Sequence, residues 1–167
     1  MAEAVRGAPW TESVAQAQAA LVAETAAVQD ALPWYAVEKQ EEGAAAALLR
    51  VTAADGVLDA EAVGDACVLV EADGAWQSAW PLVSVEAFSH RPTLLHSVAP
   101  ASPPLRTRIP LRAGLRIAFA TDALAAFLLA LGPSALPPAG VDPAIFVAES
   151  RARGLRNDDT TLVLLAC

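Results

Sequence analysis

The sequence predicts an α+β domain built in layers, and three observations carry that expectation. A helix with an apolar stripe opens the chain at residues 11–32, and short β-type runs follow at 44–83. The chain then closes on strand, helix, helix and strand. At 167 residues, 55% of them hydrophobic, it makes one domain with enough apolar surface for a real core.

In the first helix Val14, Ala17, Leu21, Val28 and Leu32 recur near one face. Ser13 and Gln16 have capping-box spacing, and Pro33 ends the helix. "WYAVEKQEE" reads as a polar-faced turn or short helix leading into Gly43. Four β-type runs come next: "AAAALLRV", "VLDAEAVG", "ACVLVEA" and "AWQSAWPL". Two of their junctions read "ADG", at 54–56 and 72–74, and Asp-Gly between apolar runs is a hairpin signal. One antiparallel meander over 44–83 is therefore expected.

Residues 84–110 are proline-rich and read as a surface connection, with a short helix near "VEAF". "LRIAFATD" is a buried strand ending at Asp122, and "ALAAFLLAL" is a helix ending at Gly132-Pro133. "PAIFVAESRARG" is a further helix with Gly154 as its C-terminal cap, and the last strand covers 160–166.

The net charge of −8 and pI near 4.6 repel phosphate backbones and anionic lipid heads. No basic cluster exceeds "RAR", so neither nucleic acid nor a membrane surface is an expected partner. The longest apolar run, "IAFATDALAAFLLALG", is short for a bilayer and contains Asp122. "MAEAVRGAPW" lacks the pattern of a signal peptide. Cys67 and Cys167 have no CxxC spacing and fall in separate expected strands, so buried, reduced thiols in a cytoplasmic protein are expected.

Three aspartates share one local context. Asp65 follows Gly64 inside "EAVGDACVLV", Asp122 sits where "IAFATDALAAF" passes from strand to helix, and Asp158 precedes the last strand in "LRNDDTTLVLL". Carboxylates that converge from strand ends build oxygen-rich sites for hard divalent cations. Each also has a local explanation: Asp122 as a helix cap, Asp65 as a turn or bulge with Gly64, and Asp158 with Asp159 as a solvated turn. Both readings stand at this level.

Other residues carry less. His90 and His96 have no Glu or Cys at ligand spacing and read as surface or structural histidines. Trp10, Trp34, Trp76 and Trp80 read as packing residues, the last two sharing a strand face by parity. Ser13, Ser89 and Ser97 have no paired base, which argues against a Ser-His-Asp hydrolase. Neither GxxxxGK[ST] nor GxGxxG occurs.

"AVGDACVLV", "FATDALAAF" and "RNDDTTLVLL", in that order and with "EEGAAAALL" upstream, resemble the later motifs of the phosphatase 2C family. That family of metal-dependent Ser/Thr phosphatases shows a "GDS" strand, "SDG" or "TDG" before a helix, and "DN" or "DD" before its closing strand. "LPWYAVEKQEEGA" and "AWPLVSVEAFSHRPTLL" are similar to a bacterial phosphatase 2C-like branch, so the resemblance covers about residues 34–167. It implies a layered α/β/β/α sandwich of antiparallel sheets flanked by helices. It also implies hydrolysis of phosphoserine or phosphothreonine in proteins by water activated on a pair of Mg2+ or Mn2+ ions. By motif match, Asp122 and Asp158 would hold one metal, and Asp65 would lie near the site and serve a third, looser one.

The pattern is incomplete. The family's first strands and its early Asp-Gly metal motif have no counterpart in residues 1–33. "GDS" has become "GDA", "TDG" has become "TDA", and Ala126 stands where a carboxylate often follows. The resemblance thus implies a domain completed by a second copy or a separate N-terminal fragment, or a remodelled compact variant. The alternative it implies is a non-catalytic module that binds a phosphoprotein or kinase partner.

Overall fold

Both Asp-Gly junctions are hairpin turns. Asp55 and Asp73 have φ of 50° and 53°, and Gly56 and Gly74 have φ of 73° and 77°, the left-handed pair that a two-residue turn needs to match strand twist. Around them the computed structural model describes residues 10–29, 45–88, 92–96 and 102–167. The expected turn or helix at "WYAVEKQEE", Pro33, Trp34, Ser89, His90 and Ser97 lie outside the described residues.

The chain begins with α1 (Trp10–Gln29), then β1 (Ala45–Ala46), β2 (Leu48–Ala54), β3 (Val57–Val63), β4 (Cys67–Ala72) and β5 (Ala75–Trp80). A 3-10 turn at Val85–Ala87 precedes β6 (Leu95–His96), β7 (Leu105–Pro110) and β8 (Arg116–Ala120). Next come α2 (Asp122–Leu131), a 3-10 turn at Pro133–Ala135, α3 (Pro143–Ala152) and β9 (Leu162–Ala166). All strand pairs are antiparallel, in sheets ordered β2-β3-β7, β5-β4-β8-β9 and β1-β6.

The expected single meander is two hairpins in two sheets. β2 and β3 pair with each other, β4 and β5 pair with each other, and β3 does not pair with β4. The chain crosses between sheets at Gly64-Asp65. Gly64 has φ of 106°, and a Cβ there would lie 2.7 Å from the Ala47 Cβ and 2.9 Å from its Cα. Only glycine meets both conditions.

Apolar contacts define the layers. Leu58 and Ala60 of β3 pack against Val68, Val70 and Ala72 of β4 and Ile117 of β8, joining the two larger sheets face to face. The other face of the four-stranded sheet, with Cys67, Leu69, Ala118 and Ala120, packs on Leu124, Phe127 and Leu128 of α2. On the far side Trp10 and Val14 of α1 pack on Val63 and Leu95. The result is the α/β/β/α sandwich. Every residue of β4 is buried, as a central strand covered on both faces must be.

Four local expectations are corrected. Ser13 does not cap α1, because the helix already begins at Trp10; instead the Arg50 guanidinium donates to the Ser13 hydroxyl at 3.2 Å. Residues 105–110, expected as loop, form β7, where Arg106 and Arg108 pair with Glu61 (3.0 Å) and Asp59 (2.8 Å) across the ladder. Pro110 is tolerated because it ends an edge strand. Trp76 and Trp80 lie on opposite faces, since the register shifts between Val70 and Glu71 and leaves Gln77 as an extra residue in β5. Trp76 packs toward α2, its indole N–H donating to the Leu128 carbonyl at 3.2 Å, while Trp80 enters the intersheet core. Cys67 is buried, but Cys167 is exposed beyond the end of β9. Neither cysteine is in a disulfide.

One buried charge ties the second hairpin to β8. Glu71, 5% exposed, accepts from Arg116 Nε at 2.5 Å and from the Gly74 N–H at 2.8 Å. The arginine bond, then the Gly74 N–H, hold its carboxyl below the usual 4.5 against the opposing effect of burial. A lowered carboxylate pKa adds stability above the unfolded value that is lost as pH falls through the folded one. Glu71→Gln should therefore lose about 1–3 kcal/mol at neutral pH, with the gap to wild type narrowing below pH 4.5 in urea titrations.

Gly64→Ala should cost about 2–4 kcal/mol through strain and overpacking together. Gly56→Ala, at φ of 73° with nothing within 4 Å of the new methyl, should lose less. Equal losses in thermal denaturation would contradict the crowding at Gly64.

Candidate functional site

Asp65 reaches the surface because the crossover turn carries it there, half-buried beside Gly64. Asp122 opens α2, immediately after β8. Asp158 lies in the exposed loop between α3 and β9. Three separate pieces of chain are thus aimed at one end of the sandwich.

Thr121 fastens two of them together. It occupies the N-cap position of α2, yet its hydroxyl makes no capping bond to the helix. The hydroxyl instead donates to the Asp159 carbonyl and accepts from the Thr161 N–H, both at 3.1 Å. Its backbone N–H donates to the Thr161 carbonyl at 3.3 Å. The start of α2 is therefore locked to the "NDD" loop, and Asp122 follows the cap position without occupying it.

Within that loop the Asp158 N–H donates to the Arg156 carbonyl at 3.0 Å, and the Asp158 carboxylate accepts from the Asp159 N–H at 2.8 Å. Arg156 extends to Asp122, with Nη2 3.3 Å from Oδ2. Arg151 and Thr160 both donate to the Asp158 carbonyl.

Asp65 feels the charges of both other aspartates. Asp65 is raised above the ordinary 3.8 first by burial and then by the charge of Asp122, with Asp158 adding to the shift. Its own backbone N–H and the Arg156 charge oppose it. Burial pushes the Cys67 thiol up to about 11, with smaller contributions from Asp65 and Asp122. That cysteine is an inert packing group.

The donors do not make a metal centre as they stand. Among the described residues no group of three or more His, Cys, Asp or Glu side chains is arranged to hold a metal ion. One Asp122 oxygen is engaged by a guanidinium and one Asp158 oxygen by its own loop.

Two concavities flank the site. One of about 460 Å3 is lined by Gly64, Asp65, Leu82, Pro92 and Thr93. A larger groove of about 830 Å3 runs beside β9 and is lined by Val141, Phe146, Leu162 and Leu164, with none of the three aspartates. Among the described residues β9 pairs only with β8, and its Val163, Leu164 and Leu165 are 55%, 43% and 37% exposed. Sequence reasoning missed Arg156 and Thr121, although each stands within two residues of an aspartate it had singled out.

Neither a family model nor a curated protein sequence matches this chain. Solved structures do. The Mycobacterium tuberculosis serine/threonine phosphatase PstP/Ppp superposes with a TM-score of 0.57 and 19% identity, covering 90% of this chain and 71% of that one. PppA, a regulatory component of the type VI secretion system of Pseudomonas aeruginosa, gives 0.55 and 16%, covering 97% and 75%. The catalytic domain of PstP in complex with two manganese ions gives 0.54 and 19%, covering 95% and 73%. The chain has a phosphatase 2C-like fold. Among the described residues no helix is long and apolar enough to cross a membrane.

A carboxyl whose folded pKa is raised adds stability below the unfolded value, and that stability is lost as pH rises through the folded one. Asp65→Asn should accordingly melt higher than wild type at neutral pH. The advantage should shrink as pH falls and vanish below 3.8, as read from paired melting curves.

Proposed function

We propose that this chain is a phosphatase 2C-like domain serving as a binding or regulatory module for a phosphoprotein or kinase partner, without hydrolysing phosphoserine or phosphothreonine by itself. The pairing of Asp122 with Arg156 supports this reading. The aspartate that would be a metal ligand is neutralised from within the chain, and among the described residues no group of three His, Cys, Asp or Glu side chains is arranged to hold a metal ion. Phosphoryl transfer needs concentrated positive charge on the transferring oxygens. One half-exposed guanidinium among three carboxylates does not provide it.

The opposite reading, a phosphoprotein phosphatase using Mg2+ or Mn2+, is favoured by the influence of Asp122 and Asp158 on Asp65 and by the edge of β9 that no other described strand covers. Further strands from a second copy or an N-terminal fragment would extend the sheet there and bring the missing ligands. The similar PstP structure that holds two manganese ions supports Mn2+ as the ion to test first.

Hydrolysis of p-nitrophenyl phosphate by the purified chain with Mn2+ separates the two. No turnover above the metal-free control is expected. Turnover that requires Mn2+ and disappears in Asp122→Asn would establish the hydrolase instead.

A further inference from the structure

We propose that Arg156 is a built-in cation that stands in for a divalent metal at the aspartate cleft, so that this end of the sandwich is held together without metal. The inference rests on reading the cleft as a degenerate phosphatase-type site. It explains why the donor set fails to fit the ions that such a site would take.

Geometry carries the argument. Arg156 Nη2 lies 3.3 Å from Asp122 Oδ2, and Arg156 belongs to the same turn as Asp158, whose N–H donates to its carbonyl at 3.0 Å. The guanidinium is therefore covalently tied to the loop bearing one carboxylate while it neutralises another. Its charge is also felt at Asp65, where it opposes the effects of Asp122 and Asp158. The side chain pairs with Asp122, while its own backbone carbonyl holds the Asp158 N–H. A tethered group acts at a high effective concentration that an ion in solution must outcompete.

A half-exposed ion pair of this kind contributes little by itself. Its importance lies in what its removal leaves, which is three like charges in one cleft. Thr121 holds α2 to the 156–161 loop, so the backbones that carry Asp122 and Asp158 cannot separate without breaking the bonds at Asp159 and Thr161. Among the described residues Arg156 is the arginine paired with a carboxylate of the cleft, Arg151 reaching the Asp158 carbonyl instead.

Wild type, Arg156→Gln and Arg156→Lys should be melted in EDTA and in millimolar Mn2+. Wild type and Arg156→Lys should melt alike in both media. Arg156→Gln should melt lower in EDTA and recover most of that loss with Mn2+. Electron paramagnetic resonance of Mn2+ added to wild type alone needs no variant and should leave the free-ion signal undiminished. Stabilisation of wild type by Mn2+, uptake of Mn2+ by wild type, or a glutamine variant that is unaffected or unrescued would each overturn the proposal.

These readouts are distinct from hydrolysis. Turnover by a wild type that takes up no Mn2+ would end the binding-module reading and leave Arg156 as the resident cation. Uptake of Mn2+ without turnover would do the reverse.

Discussion

A single hydrogen atom in place of a methyl group at residue 64 is the constraint on which the architecture depends. The chain must leave the three-stranded sheet, pass within van der Waals distance of Ala47 and enter the four-stranded sheet within three residues. A left-handed backbone with no side chain permits that passage. Because the crossing is so short, β3 and β4 end up back to back, and their facing side chains become the intersheet core. The same turn leaves Asp65 at the mouth of the sandwich. The packing of the molecule and the placement of Asp65 thus have one cause.

Charge follows a second rule in this acidic chain. Asp59, Glu61 and Glu71 each lie opposite an arginine on a neighbouring strand, and Asp122 meets one from a loop. Asp65 makes no ion pair among the described residues and is also the aspartate whose charged form the fold disfavours. Glu61 is met by two arginines, Arg50 and Arg106, whereas at the cleft a single arginine pairs with Asp122. That difference sets the site apart from the ordinary ladder pairs of the sheets.

Much of this was legible in the sequence, and the failures have physical reasons. The Asp-Gly turns, the strand into Asp122, both later helices and the closing strand follow from local chemistry, and they formed where the residues indicate. Local chemistry does not say which strands pair. "VGDA" reads the same whether the chain turns within a sheet or leaves it, so two hairpins looked like one meander. β7 was hidden because two arginines interrupt its Leu105, Thr107 and Ile109 and prolines flank it, and its partners Asp59 and Glu61 lie over forty residues away. A one-residue bulge inverted the faces of the two tryptophans. The aspartates were visible as a set, but the cation serving them was not, since spacing along the chain gives no sign of where a long side chain will reach.

The exposure of Cys167 has a practical consequence. Its backbone is pinned at both polar groups, the N–H donating to Leu115 at 2.9 Å and the carbonyl accepting from Gly114 at 2.8 Å, while its sulfur faces solvent. The chain's other thiol is enclosed beneath α2. Maleimide chemistry on the native sequence would therefore attach one reporter dye at one place, beside the open margin of the four-stranded sheet. Anything that came to lie along that margin would change the dye's emission, with no engineered residue required.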